Sequence, residues 1–169
     1  MMRIMNIFLI LHNIRSRYNV GSLFRSADGA GVTKIFLSGY TPAPIDRFGR
    51  PVREIHKTSL GATETVPWEE VTSIEECIVM LKKENVRIIA LEQHPRAVSY
   101  SEYEYESDYA LILGNEIEGV SPMLCELADD IVFIPMHGVK ESLNVGVATA
   151  IVLFKAKEKI VAFETASTK

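Results

Sequence analysis

Three short segments of the 169-residue chain place polar side chains where plain connections between elements would serve. In the first, Asn13 to Asp28, Asn19 stands where a helix N-cap belongs, and Arg25 follows within that helix. In the second, Gly114-Asn115-Glu116-Ile117-Glu118-Gly119, the outer glycines let backbone approach a ligand closely, with an amide and carboxylates between them. In the third, Ser142-Leu143-Asn144, a hydroxyl and an amide mark an otherwise apolar helix entry; Ser142 is one candidate cap, and the pair together invites a functional reading. The small residues Gly146, Ala148, Thr149 and Ala150 would let that helix pack close to another backbone. These groups bind, orient and hydrogen-bond; the one cation, Arg25, stays protonated and cannot readily serve as a base. Each segment alone also reads as a cap, a tight turn or a close-packed helix start. His137 has no serine or carboxylate positioned by sequence to complete a triad. The Gly-x-Gly-x-x-Gly and Gly-x-x-x-x-Gly-Lys-Ser/Thr fingerprints are missing from the chain.

The elements that must hold these segments alternate between strand-length apolar runs and stretches of helical period. That is the pattern of an α/β protein with a mostly parallel sheet and helices on both faces. Strands are expected at Ile4–Leu11, Lys34–Leu37, Arg87–Leu91, Ala110–Leu113 and Ile131–Ile134. Helices are expected over Val20–Ala30, from a Ser73 capping box to Glu84, after Ser121-Pro122, and over Leu143–Phe163. The second segment then falls at the C-terminal end of a strand, where open α/β sheets place their ligands. Residues 39–67, rich in Pro and Gly and carrying Arg47, Arg50, Arg53 and Lys57, read as loop and short helix suited either to an RNA partner or to solvent.

In this order and at these boundaries, the segments resemble the three motifs of the SpoU/TrmH branch of the SPOUT RNA methyltransferases: Asn-x5-Arg, Gly-Asn-Glu-x-x-Gly and Ser-Leu-Asn-Val. The resemblance spans about residues 9–155. It implies an α/β fold with a C-terminal trefoil knot, a homodimer with its active site near the subunit interface, and S-adenosyl-L-methionine as cofactor. It carries over Asn19, Arg25, Glu116, Ser142 and Asn144 as catalytic residues. Leu91, Gly114, Asn115, Gly119, Ile134, Met136 and Leu143 are the implied cofactor contacts. The sequence departs from the pattern at Gly146, where many relatives have Ser, and at Leu91-Glu92-Gln93, where relatives often have small or hydroxyl residues.

The implied activity is methylation of a ribose 2′-hydroxyl in tRNA or rRNA. No RNA-recognition domain is expected before the first strand, and that expectation tilts the reading toward tRNA. A ribose hydroxyl is a poor nucleophile, so alignment with an already activated methyl group and a pre-oriented polar cluster must supply the acceleration. Arg25 is assigned the centre of that cluster, Asn19, Ser142 and Asn144 orient it, and Glu116 holds the array. The competing readings are a SPOUT enzyme that methylates a base, an RNA-binding relative without catalysis, and a flavodoxin-like nucleotide-binding domain.

Length and composition agree with one SPOUT domain over residues 1–169, without an appended RNA-binding domain: 47% of residues are hydrophobic and 24% charged. The net charge of −4 conceals a division. Residues 1–60 hold nine basic and three acidic side chains, and residues 61–169 hold nine basic and nineteen acidic. A basic end on an acidic protein suits a polyanion, and Arg15, Arg17, Arg47, Arg50, Arg53 and Lys57 are the expected RNA contacts. Cys77 and Cys125 stand far apart without ligand spacing, so both are expected as buried apolar side chains, with neither disulfide nor metal site. The N-terminal apolar run is too short and broken for a signal sequence, and a soluble, cytoplasmic protein with no membrane partner is expected.

Overall fold

Alternation of side chains along the strands explains the layers of the computed structural model, which describes residues 5–166. In strand β1 (Ile7–His12), Ile7, Leu9 and Leu11 enter one apolar cluster and Ile10 the other, so both faces are covered. The other strands are β2 (Lys34–Ser38), β3 (Trp68–Val71), β4 (Arg87–Leu91), β5 (Val98–Ser99), β6 (Tyr109–Leu113) and β7 (Asp130–Phe133). They form one sheet in the order β3-β2-β1-β6-β4-β7-β5, parallel at every pairing. Leu9 stands opposite Ile35 on one side and Leu111 on the other, in the interior of the sheet.

Helix α1 (Arg17–Ala30) buries Val20, Leu23, Phe24 and Ala27 in the first cluster, together with Val152, Leu153 and Ala156 of α6 (Val145–Ala166). Helices α2 (Arg53–Ser59) and α3 (Ala62–Thr65) lie between β2 and β3. On the opposite face, α4 (Ile74–Lys83) contributes Ile74, Cys77, Ile78 and Leu81, and α5 (Pro122–Leu127) contributes Leu124 and Cys125. Burial holds the Cys77 thiol up at about 11, with the Glu69 carboxylate adding to the shift.

The strand order reverses direction beside β1: the chain first builds β2 and β3 on one side, then fills the other from β4 onward. Such a switch point leaves a crevice at the carboxyl ends of the strands. The segments after β1, β4, β6 and β7 all emerge there. The expected elements are present with shifted ends. β1 begins at Ile7 rather than Ile4, which lies outside the described residues, and α6 starts at Val145 rather than Leu143. Two strands went unexpected. β3 is an edge strand containing Glu69 and Glu70, and β5 has only two residues, so neither offers an apolar run.

Candidate active site

Helix α1 is capped by Ser16, not by Asn19. Ser16 is extended (φ −78°, ψ 115°), and its hydroxyl accepts the Asn19 amide hydrogen at 3.2 Å. Asn19 therefore lies inside the first turn, with its side chain released from capping. A similar correction applies at α6, where Asn144 takes the place of the candidate cap Ser142. Asn144 Oδ1 accepts from the backbone of Gly146 at 2.9 Å and Val147 at 3.4 Å, and its carbonyl receives Ala148 N at 2.9 Å. Ser142 makes no hydrogen bond among the described residues and stands exposed.

With both caps assigned, one hydrogen-bond chain joins all three segments. Asn144 Nδ2 donates to Asn19 Oδ1 at 3.0 Å, and Asn19 Nδ2 donates to Glu116 Oε1 at 3.0 Å. Glu116 also receives the backbone amides of Arg15 (Oε2, 3.0 Å) and Ser16 (Oε1, 3.0 Å). Partial burial pushes the Glu116 carboxyl up, but these amide donors outweigh it and hold the group below the ordinary glutamate range. Glu116 is thus an ionised anchor that fixes the start of α1 and, through Asn19, the start of α6.

The neighbouring turn is held as firmly. Asn115 Oδ1 accepts from Ile117 N (2.8 Å) and Glu118 N (3.1 Å), while Asn115 and Gly119 form a short antiparallel bridge. A side chain at Gly114 would run into the backbone of Gly119 and Val120, so the turn closes on glycine by necessity. Gly119 adopts φ 69°, and a Cβ there would strike the Glu92 carboxylate. Glu92 in turn accepts Val120 N at 2.7 Å. From the other side, Asn115 Nδ2 donates to Asn13 O at 3.2 Å and contacts the Tyr40 hydroxyl. Asn13, at φ 58°, accepts Tyr40 N on Oδ1 at 3.2 Å, and its side-chain nitrogen lies 3.0 Å from His12 Nε2. That amide can only donate, so Nε2 accepts and the ring proton sits on Nδ1, facing Ser38 Oγ at 2.8 Å. Burial lowers the His12 pKa against the opposing pull of Glu75, which favours this neutral form.

These parts surround a cleft of about 520 Å³ at the carboxyl ends of β4, β6 and β7. All seven residues expected around a cofactor line it, as do Asn19, Glu116, Ser142 and Asn144. Its walls combine apolar Leu91, Ile134, Met136 and Leu143 with the carboxylates of Glu92, Glu116, Glu118 and Glu141. Arg25 is elsewhere. It lies in an adjoining recess of about 580 Å³ with Ser22, Lys57, Thr58, Gly146 and Val147, and Asn144 is common to both hollows. Arg25 is exposed and makes no hydrogen bond or ion pair among the described residues.

The proposed RNA contacts separate into two kinds. Arg17 is paired with Glu54 at 3.1 Å and Arg50 with Asp46 at 2.9 Å. Arg15, Arg47, Arg53 and Lys57 are exposed and without an ion pair among the described residues. Among the described residues, no group of three or more His, Cys, Asp or Glu could hold a metal, and no helix is long and apolar enough to cross a membrane.

The model of the SpoU rRNA methylase family matches residues 6–154, which include every segment of this site. The chain belongs to that family. It is 36% identical over 148 residues to the 23S rRNA (guanosine-2′-O-)-methyltransferase RlmB of Xanthomonas axonopodis, covering 88% of this chain and 57% of that protein. The family member therefore spans a little over half the length of that relative. Among solved structures, the Aquifex aeolicus TrmH/SpoU tRNA modifying enzyme superposes with a TM-score of 0.82 at 26% identity, covering 98% of this chain and 81% of that one. The AdoMet-bound rRNA methyltransferase of Sinorhizobium meliloti gives 0.79 at 27% identity, covering 90% and 56%.

Sequence reasoning missed Ser16, Asn13, Tyr40 and Glu92 as parts of this family member's site. The signal for Glu92 was visible, since a Glu-Gln pair directly after a buried strand departs from the family pattern. Tyr40 offered none, because its partner Asn115 is distant in sequence.

Proposed function

We propose that this protein transfers the methyl group of S-adenosyl-L-methionine to a ribose 2′-hydroxyl of tRNA or rRNA. The observation that carries the reading is the continuous chain Glu116–Asn19–Asn144, which binds the three segments into one rim between the cleft and the Arg25 recess. The cleft fits the cofactor: its volume lies in the range of small-molecule sites, its apolar wall suits an adenine, and its carboxylates suit a sulfonium and an ammonium. The bound cofactor supplies an electrophilic methyl group, so this chain's task is to bind and orient the nucleophile.

In that task Glu116 keeps Asn19 and the α1 start fixed, and Asn19 and Asn144 set the rim across which the hydroxyl must reach. Arg25 points cationic donors into the recess beside that rim. There it holds a phosphate and stabilises the developing alkoxide, while the proton passes to phosphate or water, because a guanidinium cannot accept it. The relatives' names support both substrate classes: rRNA for the Xanthomonas protein and tRNA for the Aquifex one.

A homodimer belongs to the same reading. Val147 and Phe154, seven residues apart on α6, leave 51% and 52% of their surface exposed, and the Arg25 recess opens beside Val147. That apolar face supports a dimer with its active site at the interface. The trefoil knot is likewise part of the proposal. Its support is β7 inserted between β4 and β5, followed by the passage of residues 134–144 to a helix packed against α1.

Incubation with labelled cofactor and total RNA, followed by mass spectrometry of digested nucleosides, tests the activity and names its substrate. Label on a 2′-O-methylribose is the expected result, and label confined to a base defeats it. Cofactor binding without any transfer would favour a non-catalytic RNA-binding relative.

A further inference from the structure

The segment between β2 and α2 folds back into a small hairpin. Ile45 and Pro51 form an antiparallel bridge, Asp46 N donates to Arg50 O at 2.8 Å, and Gly49 N donates to Asp46 O at 2.9 Å. The Asp46 carboxylate organises the tip. Its Oδ1 accepts the backbone amides of Phe48 (2.8 Å) and Arg50 (2.9 Å), and its Oδ2 accepts Arg50 Nε at 2.9 Å. Gly49, at φ 75°, makes the turn.

This ordered tip displays an aromatic ring to solvent. Phe48 is 65% exposed, and the guanidinium carbons of Arg47 and Arg50 lie 4.8 and 5.0 Å from its centroid. Arg50 is tied down by Asp46, whereas Arg47 has no ion pair among the described residues. At the root of the same segment stands Tyr40, 56% exposed, whose hydroxyl contacts Asn115 on the cleft wall. The hairpin is therefore a hydrogen-bonded arm rooted beside the candidate site.

We propose that the tip is a stacking platform for an unpaired nucleotide of the RNA, with the base against Phe48 and a neighbouring phosphate on Arg47. This rests on the RNA methyltransferase reading and adds to it the form of RNA recognised: a single-stranded loop or end, not a duplex. Aromatic rings joined to arginines recognise unstacked bases, because every base offers a π face and every nucleotide a phosphate. A paired A-form helix hides those faces. The charge around the tip favours a polyanion over a protein surface, with Arg47, Arg50, Arg53 and Lys57 set against only Asp46 and Glu54.

Phe48→Trp puts a fluorophore on the tip, with the wild-type signal of Trp68 as its baseline. Titration with a mixed-sequence single-stranded oligoribonucleotide should quench the introduced indole at concentrations at least about ten-fold below those of a duplex of equal length. In methyl transfer to total RNA, Phe48→Ala and Phe48→Leu should each raise KM about ten-fold, the scale of one lost base stack. Phe48→Tyr should stay within about two-fold and serve as the folded control. Equal quenching by duplex and single strand overturns the proposal, as does a Phe48→Leu variant matching wild type, since an apolar contact would survive that change. Loss of dimer mass in sedimentation of Phe48→Ala would instead make the tip a contact between copies. A wild-type protein that transfers no methyl to RNA defeats the activity reading, whereas the fluorescence titration needs no turnover and decides the stacking by itself.

Discussion

Asn144 separates two hollows of opposite character. On one side, the cleft has a hydrogen-bonded rim, glycines closed against backbone, and four carboxylates. On the other, the recess holds Arg25 and Lys57 with no ion-pair partner among the described residues. The first is built in advance and suits a small cationic ligand. The second leaves its cations open, as a surface for a polyanion must, because counter-charges within the protein would compete with phosphate. The charge division along the sequence is therefore partly spatial: the open cations come from α1 and α2, and the cleft carboxylates come from residues beyond Gly61.

If the two hollows divide the work in this way, Arg25→Ala gives the largest effect. Methyl transfer should fall by about 10²–10³-fold, the scale of losing one donor at a developing oxyanion. Affinity for the cofactor, read by calorimetry, should change by less than about two-fold. Comparable losses in both measurements would merge the two sites. Gly114→Ala attacks the other side. Its new methyl group meets the Gly119–Val120 backbone, so cofactor affinity should drop by about ten-fold or more, with a lower melting temperature from overpacking.

Glu116→Gln should come next, reducing turnover by about ten-fold through loss of a charged hydrogen-bond acceptor. The same residue sets an acid limit. Because its folded-state pKa is depressed, its contribution is fully present above the free glutamate value of about 4.3 and is lost as pH falls through the lower folded value. The wild-type melting temperature should therefore decline in acid more steeply than that of Glu116→Gln. Lys57→Ala should be the mildest, weakening RNA binding a few-fold and lowering the slope of log affinity against log salt by about one. Cofactor affinity should hardly respond to salt, and an equal dependence on both sides would erase the contrast.

Much of this arrangement was legible in the chain, for a definable reason. Buried strands such as Tyr109–Leu113 announce themselves because both faces must be apolar. The polar edge strand Trp68–Val71 does not, since Glu69 and Glu70 can face water there. Three short motifs named residues that the fold gathers around one cleft, but not how those residues are wired. Ser16 and Asn19 are both capping residue types, and only the folded backbone decides which hydroxyl or amide meets the helix start. The separation of Arg25 from the cleft was equally hidden: it depends on how α1 rotates against α6, which motif spacing does not express.

The assignment of the cap to Ser16 also affects how this site can change over evolutionary time. Helix α1 does not take its cap from the side chain at position 19, so an exchange there leaves the helix start capped and breaks only the rim contacts to Glu116 and Asn144. New rim chemistries can be explored there one substitution at a time, in sequences whose first helix keeps its cap.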